Sequence, residues 1–201
     1  MGKTNRDIEF LYEIGCARFI NRSWKRFLNP EVANLSEHIF RVTWIAMILA
    51  KREGIKNTEK VLKMALVHDI AESRSGDVDY ISRQYVDRNE DQGIKDMMED
   101  TSIKKEFLEL IEEYEKRESI EAKIVKDADN LDVDMELMEN KEHSFSKGLM
   151  EKREGVIKQN MFTESAKQMW DEIYATDPHD WHQNGRNRFS KGDWSQKSEN
   201  K

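Results

Sequence analysis

The sequence predicts an all-α protein, on three observations. Two prolines and nine glycines in 201 residues leave little of the turn chemistry that a β-rich fold needs. Glu, Lys, Met, Leu and Ala, all strong helix formers, are plentiful. Apolar residues recur at three- and four-residue intervals in one segment after another, the period of a helix with one buried face. Apolar residues make up 37% of the chain, enough to fill the core of one substantial domain at this length.

The elements follow in order. Residues 6 to 20 space Ile8, Leu11, Ile14 and Phe19 along one side of a first helix. "INRSWKRFLNPE" is then a loop, closed by Pro30. In "NLSEHIFRVTWIAMILAKREG", Asn34 and Glu37 have capping-box spacing and Gly54 stands where a helix stops. This helix is apolar nearly all round, which places it at the centre. "NTEKVLKMALVHDIAE" supplies the next, with Asn57 or Thr58 as N-cap and Val61, Leu62, Ala65 and Leu66 inside. "SRSGDVDYISRQYVDRNEDQG" reads as polar and irregular. Ile103, Phe107, Leu110, Ile111 and Tyr114 mark an amphipathic helix whose Lys and Glu face is solvated. Ser119 caps a long helix carrying Ile120, Ile124, Ala128, Leu131, Met135 and Met138 at helical spacing. The last helix, "FTESAKQMWDEIYAT", starts near Thr163 and cannot run far past Pro178. One domain over residues 1–178 and a polar tail over 179–201 are expected.

Charge narrows the function classes. With 40 acidic against 33 basic residues, the net charge of −7 argues against a nucleic-acid backbone as main ligand. An anionic substrate would need a local cationic patch. The single cysteine, Cys16, cannot form an internal disulfide and reads as a small buried residue. The first residues carry no signal-peptide pattern, and no apolar run reaches the roughly 18 residues of a membrane span, so a cytoplasmic protein without membrane contact is expected.

Three ionisable residues lie on apolar helix faces. His38 has Val42 and Ile45 four and seven places on; His68 has Met64 four places back; Asp69 has Ala65 and Leu66 four and three places back. A buried carboxylate without a partner costs several kcal/mol, and a buried imidazole still needs its nitrogens paired. A shared divalent cation satisfies all three, and imidazole with carboxylate suits zinc, manganese, iron or cobalt. On spacing alone, a hydrogen-bonded core histidine remains the alternative. The long helix offers Asp127, Asp129, Asp132 and Asp134 as a further ligand, and the helical wheel does not choose among them.

The order of "NRSW", "NPE…SEH", "HDIAES…GD" and "VKDAD" resembles the HD-domain metal-dependent phosphohydrolases, and within them the 5′-deoxynucleotidase branch, over about residues 15 to 140. That resemblance implies a single HD-type helical domain with a metal site in its helix core. It implies that His38, His68, Asp69 and Asp129 hold one divalent metal ion, with Co, Mn, Zn, Fe and Mg all open. Only the match to "VKDAD" favours Asp129. Asp132 would support the site from one turn on, while Asp127 and Asp134 would be solvated or paired with Lys123 and Lys126. Glu72, one helical turn beyond His68, matches an acid–base carboxylate, and Asp77 follows in the matching "GD"; the resemblance implies that Glu72 or Asp77 is catalytic, orienting the water or protonating the departing alkoxide. Arg22 matches a phosphate-contacting arginine, and Trp24, separated from it by Ser23, would wall the base or sugar. No histidine lies between Asp69 and Asp129, which counts against a second metal.

The expected activity is removal of phosphate from (deoxy)nucleoside 5′-monophosphates, with a small-molecule nucleotide as partner. A nucleoside triphosphate hydrolase of the same type is the first alternative. A non-catalytic, nucleotide-binding regulatory domain is the second. Homodimers are common in families of this kind. His143, His179 and His182 lie beyond the motifs and read as surface residues.

Overall fold

The computed structural model describes residues 5–27, 31–141 and 147–184, with no β-strand among them. Pro30, His143 and the tail from residue 185 lie outside the described residues. In chain order the α-helices are α1 (Arg6–Ile14), α2 (Leu35–Arg52), α3 (Glu59–Val67), α4 (Glu72–Ser75), α5 (Glu90–Met98), α6 (Lys104–Lys116), α7 (Ile120–Glu139), α8 (Lys147–Lys152), α9 (Glu164–Ala175) and α10 (Asp180–Gln183). No helix among the described residues is long and apolar enough to cross a membrane.

The long helices α2 and α7 pack on each other at the centre, and α3 lies against both; α6 covers α3 and α7, and α9 covers α7. Their starts are written in the sequence. Asn34 Oδ1 accepts the Glu37 N–H at 3.1 Å and Glu37 Oε2 accepts the Asn34 N–H at 2.9 Å, which closes the capping box of α2. Such a cap contributes about 1 kcal/mol. Gly54, at φ +74°, turns the chain out of α2 in the left-handed region that favours glycine. Asn57 Oδ1 takes the Glu59 N–H at 3.1 Å, so Asn57 supplies the acceptor at the start of α3 while Thr58 holds the cap position. Ser119 and Thr163 cap α7 and α9. Leu35, Leu49, Met64, Ile124, Leu131 and Leu137 are fully buried, each contributing about 1.5–3 kcal/mol by leaving water.

Five local expectations give way. In α1 the buried residue is Phe10, while Ile8, Leu11 and Phe19 are exposed. The chain tightens into a 3-10 helix over Gly15–Phe19, and the change of period swings Phe19 outward and leaves Cys16 exposed. Helix α2 is central on one face only: Phe40, Trp44 and Ile48, four residues apart, stay 67%, 52% and 46% exposed because α3 and α7 meet the opposite side. Leu66 likewise faces outward on α3. The stretch read as irregular contains α5, held by the buried Ile94, Met97 and Met98.

Candidate metal centre

Three elements converge on one point. Helix α2 carries His38, the end of α3 and the turn after it carry His68 and Asp69, and α7 carries Asp129. Ligand atoms of these four residues all lie within 4.8 Å of one another, the one such group among the described residues. His38 Nε2 stands 3.3 Å from His68 Nε2 and 3.4 Å from both Asp69 Oδ2 and Asp129 Oδ1. His68 Nε2 is also 3.4 Å from Asp69 Oδ2.

Second partners fix the tautomers. His38 Nδ1 lies 2.6 Å from Asp132 Oδ2, and His68 Nδ1 lies 2.8 Å from the Ala65 carbonyl oxygen. Both acceptors require a proton on Nδ1, so both Nε2 lone pairs point at each other and at two carboxylates. Four electron-rich atoms this close repel unless a cation or a proton sits among them. Donors about 2.1 Å from a common cation, at angles of about 90–110°, stand about 3.0–3.4 Å apart, which matches the four separations just given. The donor set therefore fits one divalent metal ion. Tyr114 packs edge-on against the His68 ring, centroids 5.8 Å apart, and closes its far side.

Electrostatics say the same. Burial pushes the His38 pKa down, but Asp129, Asp132 and Asp69 outweigh it and hold the imidazole well above its ordinary value. Burial would raise Asp69, yet His68 and His38 keep it well below the usual carboxylate range. Asp129 is likewise depressed against the effect of burial, chiefly by Lys126 and His38. The cluster attracts positive charge from whatever source supplies it.

Beside the cluster opens a cavity of about 680 Å³, into which Asp69 and Asp129 face. Arg22, Trp24, Glu72 and Asp77 line it as well, so every sequence-derived site residue lies at the cluster or on this wall, with only His38 and His68 set back from the cavity. One placement differs. Helix α3 ends at Val67, and the chain runs through a tight turn to α4, which begins at Glu72. The Glu72 N–H bonds to the Asp69 carbonyl at 3.0 Å, so Glu72 is carried by a turn rather than by continuation of the His68 helix. Glu72 is 8% exposed, and its pKa is pushed up to about 9 by burial and by the charges of Asp69 and Asp77, against Arg22 and Arg88.

Asp77 is anchored at both oxygens: the Ser23 N–H donates to Oδ2 at 2.8 Å and the Ser23 hydroxyl to Oδ1 at 3.1 Å. Arg22 Nε is 3.8 Å from Asp77 Oδ2, and Arg22 Nη1 is 3.4 Å from Asp132 Oδ2. Ser23, the residue between Arg22 and Trp24, thus ties their segment to the loop after α4.

The remaining aspartates of α7 are not solvated. Asp127 is fully buried and accepts the Phe162 N–H at 2.9 Å and the Thr163 N–H and hydroxyl at 2.8 Å. Asp134, also buried, takes both arms of Arg153 at 2.6 and 2.8 Å and the Tyr174 hydroxyl at 2.9 Å. Lys126 pairs instead with Asp129, at 2.6 Å. Sequence reasoning missed Ser23, Arg41, Arg88 and Lys126. Lys126 alone carried a signal, since it lies three residues before Asp129 on one helix face. His179, the N-cap of α10, and His182 within it are exposed, with Nδ1 and Nε2 3.2 Å apart.

Comparison with known proteins identifies the family. A family model described as HD domain matches residues 14–170. The 5′-deoxynucleotidase HDDC2 of Danio rerio is 31% identical over 143 residues, 67% of this chain and 70% of that one. The Homo sapiens protein of the same name is 30% identical over 140 residues, 66% of this chain and 67% of its own. A solved structure, a conserved hypothetical protein from Pyrococcus furiosus, superposes with a TM-score of 0.70 at 24% identity, covering 84% of this chain and 99% of that one. With two histidines and two aspartates gathered between α2, the HD turn and α7, and with the match spanning most of its length, this chain belongs to the HD domain family.

Proposed function

We propose that the protein is a metal-dependent phosphohydrolase that removes phosphate from (deoxy)nucleoside 5′-monophosphates. The observation carrying this reading is the buried Glu72 on the same cavity wall as Asp69 and Asp129. The relatives named 5′-deoxynucleotidase support the substrate class.

His38, His68, Asp69 and Asp129 would hold one divalent ion; bound there, it supplies a Lewis acid for a phosphate oxygen and lowers the pKa of a water. Arg22, braced by Asp77 and Asp132, presents its guanidinium to the phosphate and supplies local positive charge in an acidic chain. Trp24 stands beside it as a wall for sugar or base. Water attacks phosphorus and the P–O5′ bond breaks. Glu72, whose pKa is raised by burial and by the charges of Asp69 and Asp77, gives its proton to the departing alkoxide, and the proton lost by the water reloads it. Asp77, held at each oxygen by Ser23 and 3.8 Å from Arg22 Nε, positions Arg22.

A substrate panel tests the reading. Metal-stripped protein is supplied separately with Co, Mn, Mg and Zn and incubated with nucleoside mono-, di- and triphosphates, and the product is identified. Inorganic phosphate from monophosphates is the expected result. Release of triphosphate would sink the proposal in favour of a triphosphohydrolase, and nucleotide binding with no release in favour of a regulatory domain.

A further inference from the structure

The cavity mixes acidic and basic walls, and two of its guanidiniums are already committed. Asp69, Glu72, Asp77, Asp79 and Asp129 line it together with Arg22, Arg83, Lys126, Lys152 and Arg153; Arg22 is shared between Asp77 and Asp132, and Arg153 is held by Asp134. A divalent ion at the cluster would offset Asp69 and Asp129, but a phosphate monoester dianion also needs hydrogen-bond donors, and the guanidiniums of Arg22 and Arg153 already serve aspartates.

Lys126 changes that balance. It lies one turn before Asp129 on α7 and lines the cavity with Asp129 and Asn130. Its side chain is 35% exposed, so it is neither sealed in the core nor free on the outer surface. Lys126 Nζ donates to Asp129 Oδ2 at 2.6 Å, while Asp129 Oδ1 is the oxygen 3.4 Å from His38 Nε2. The lysine thus holds the oxygen turned away from the cluster and leaves the other facing it. An ammonium has three N–H donors, and this bond uses one.

We infer that Lys126 is a phosphate-binding residue: it clamps Asp129 with one donor and presents the others to a phosphoryl group in the cavity that Arg22 also lines. The inference rests on the phosphohydrolase reading for its ligand, a phosphate mono- or dianion, and extends it to a residue outside the ligand set and the "NRSW" arginine. A lysine suits the place because a point charge on a flexible stem can keep Asp129 and still follow a phosphate oxygen as it arrives. Clamping and phosphate binding are separable, since the first acts on the metal site before any substrate is present.

Lys126→Gln and Lys126→Arg decide it, each checked for unchanged helical circular dichroism. Inorganic phosphate is titrated into protein saturated with Mn by calorimetry, and Mn is titrated separately into stripped protein. At saturating Mn, Lys126→Gln should weaken inorganic phosphate binding about tenfold or more and raise KM for a nucleoside monophosphate in step, with kcat falling less than about threefold. Lys126→Arg should recover most of the loss. Unchanged phosphate binding at saturating Mn would overturn the inference, whether or not Mn affinity falls, because Lys126 would then only brace Asp129. If the wild type releases no phosphate from any monophosphate while Lys126→Gln still loses inorganic phosphate binding, the nucleotidase reading fails and the assignment of Lys126 stands.

Discussion

Asp132 Oδ2 lies 2.6 Å from His38 Nδ1, and the same carboxylate accepts from Arg41 Nε and stands 3.4 Å from Arg22 Nη1. One buried aspartate therefore sets the tautomer of a candidate metal ligand and steadies the candidate phosphate arginine. Burial would raise its pKa, but His38 and Arg41 keep it below the usual carboxylate range.

Removing that hub should damage fold and site together. Asp132→Ala strands His38 and two arginines and is expected to destabilise the protein by about 3–5 kcal/mol. Asp132→Asn, which keeps the volume, should weaken metal binding about 10- to 100-fold. Thermal denaturation and Co titration read the two effects. An Asn variant with wild-type Co affinity would show that Asp132 does not orient His38.

Glu72 makes stability fall as pH rises in the metal-free protein. Its folded pKa of about 9 lies above that of an unfolded glutamate, so between those values the unfolded state binds fewer protons than the native one. Glu72→Gln removes the penalty. In chelator the variant should be more stable than wild type at pH 8, on the order of a few kcal/mol, and the gap should close toward pH 4.5. A gap that stays constant from pH 8 to pH 4.5, measured by urea unfolding, contradicts the assignment.

Asp127→Ala tests the division of labour on α7. It leaves the Phe162 and Thr163 N–H groups without an acceptor at the start of α9, for a loss of about 2–3 kcal/mol. Metal affinity in the folded fraction should change less than about twofold, since Asp127 touches no member of the cluster. A large drop in affinity would mean that the wrong aspartate of α7 has been assigned to the metal.

Ser23→Ala should act on turnover more than on folding. It deletes the 3.1 Å hydroxyl bond to Asp77 while the 2.8 Å backbone bond remains. Stability is expected to fall by about 1 kcal/mol or less, and KM for a monophosphate to rise several-fold as Arg22 loosens. Unfolding curves alongside Michaelis kinetics separate the two.

How far the sequence speaks depends on whether a partner is local. The capping box of Asn34 and Glu37, the stop at Gly54 and the cap at Ser119 are decided within a few residues, and each is legible. His38, His68 and Asp69 stand on apolar faces, so their inward course shows in the periodicity. The aspartates of α7 do not separate this way. Asp127, Asp132 and Asp134 are all fully buried, because helices wrap α7 on several sides. What distinguishes them is their partners: Thr163 for Asp127, His38 and Arg41 for Asp132, Arg153 for Asp134. No helical wheel holds contacts between segments so far apart in the chain. Helix α5 was hidden for another reason: three buried apolar residues in nine, with Gly93 among them, give a weak period.

Metal stoichiometry tests the central claim most directly. Stripped protein titrated with Co should bind one equivalent, and His38→Ala, His68→Ala, Asp69→Ala and Asp129→Ala should each lose that binding while Asp127→Ala keeps it. Wild-type Co affinity in Asp129→Ala, or one equivalent retained after His68→Ala, would contradict the account.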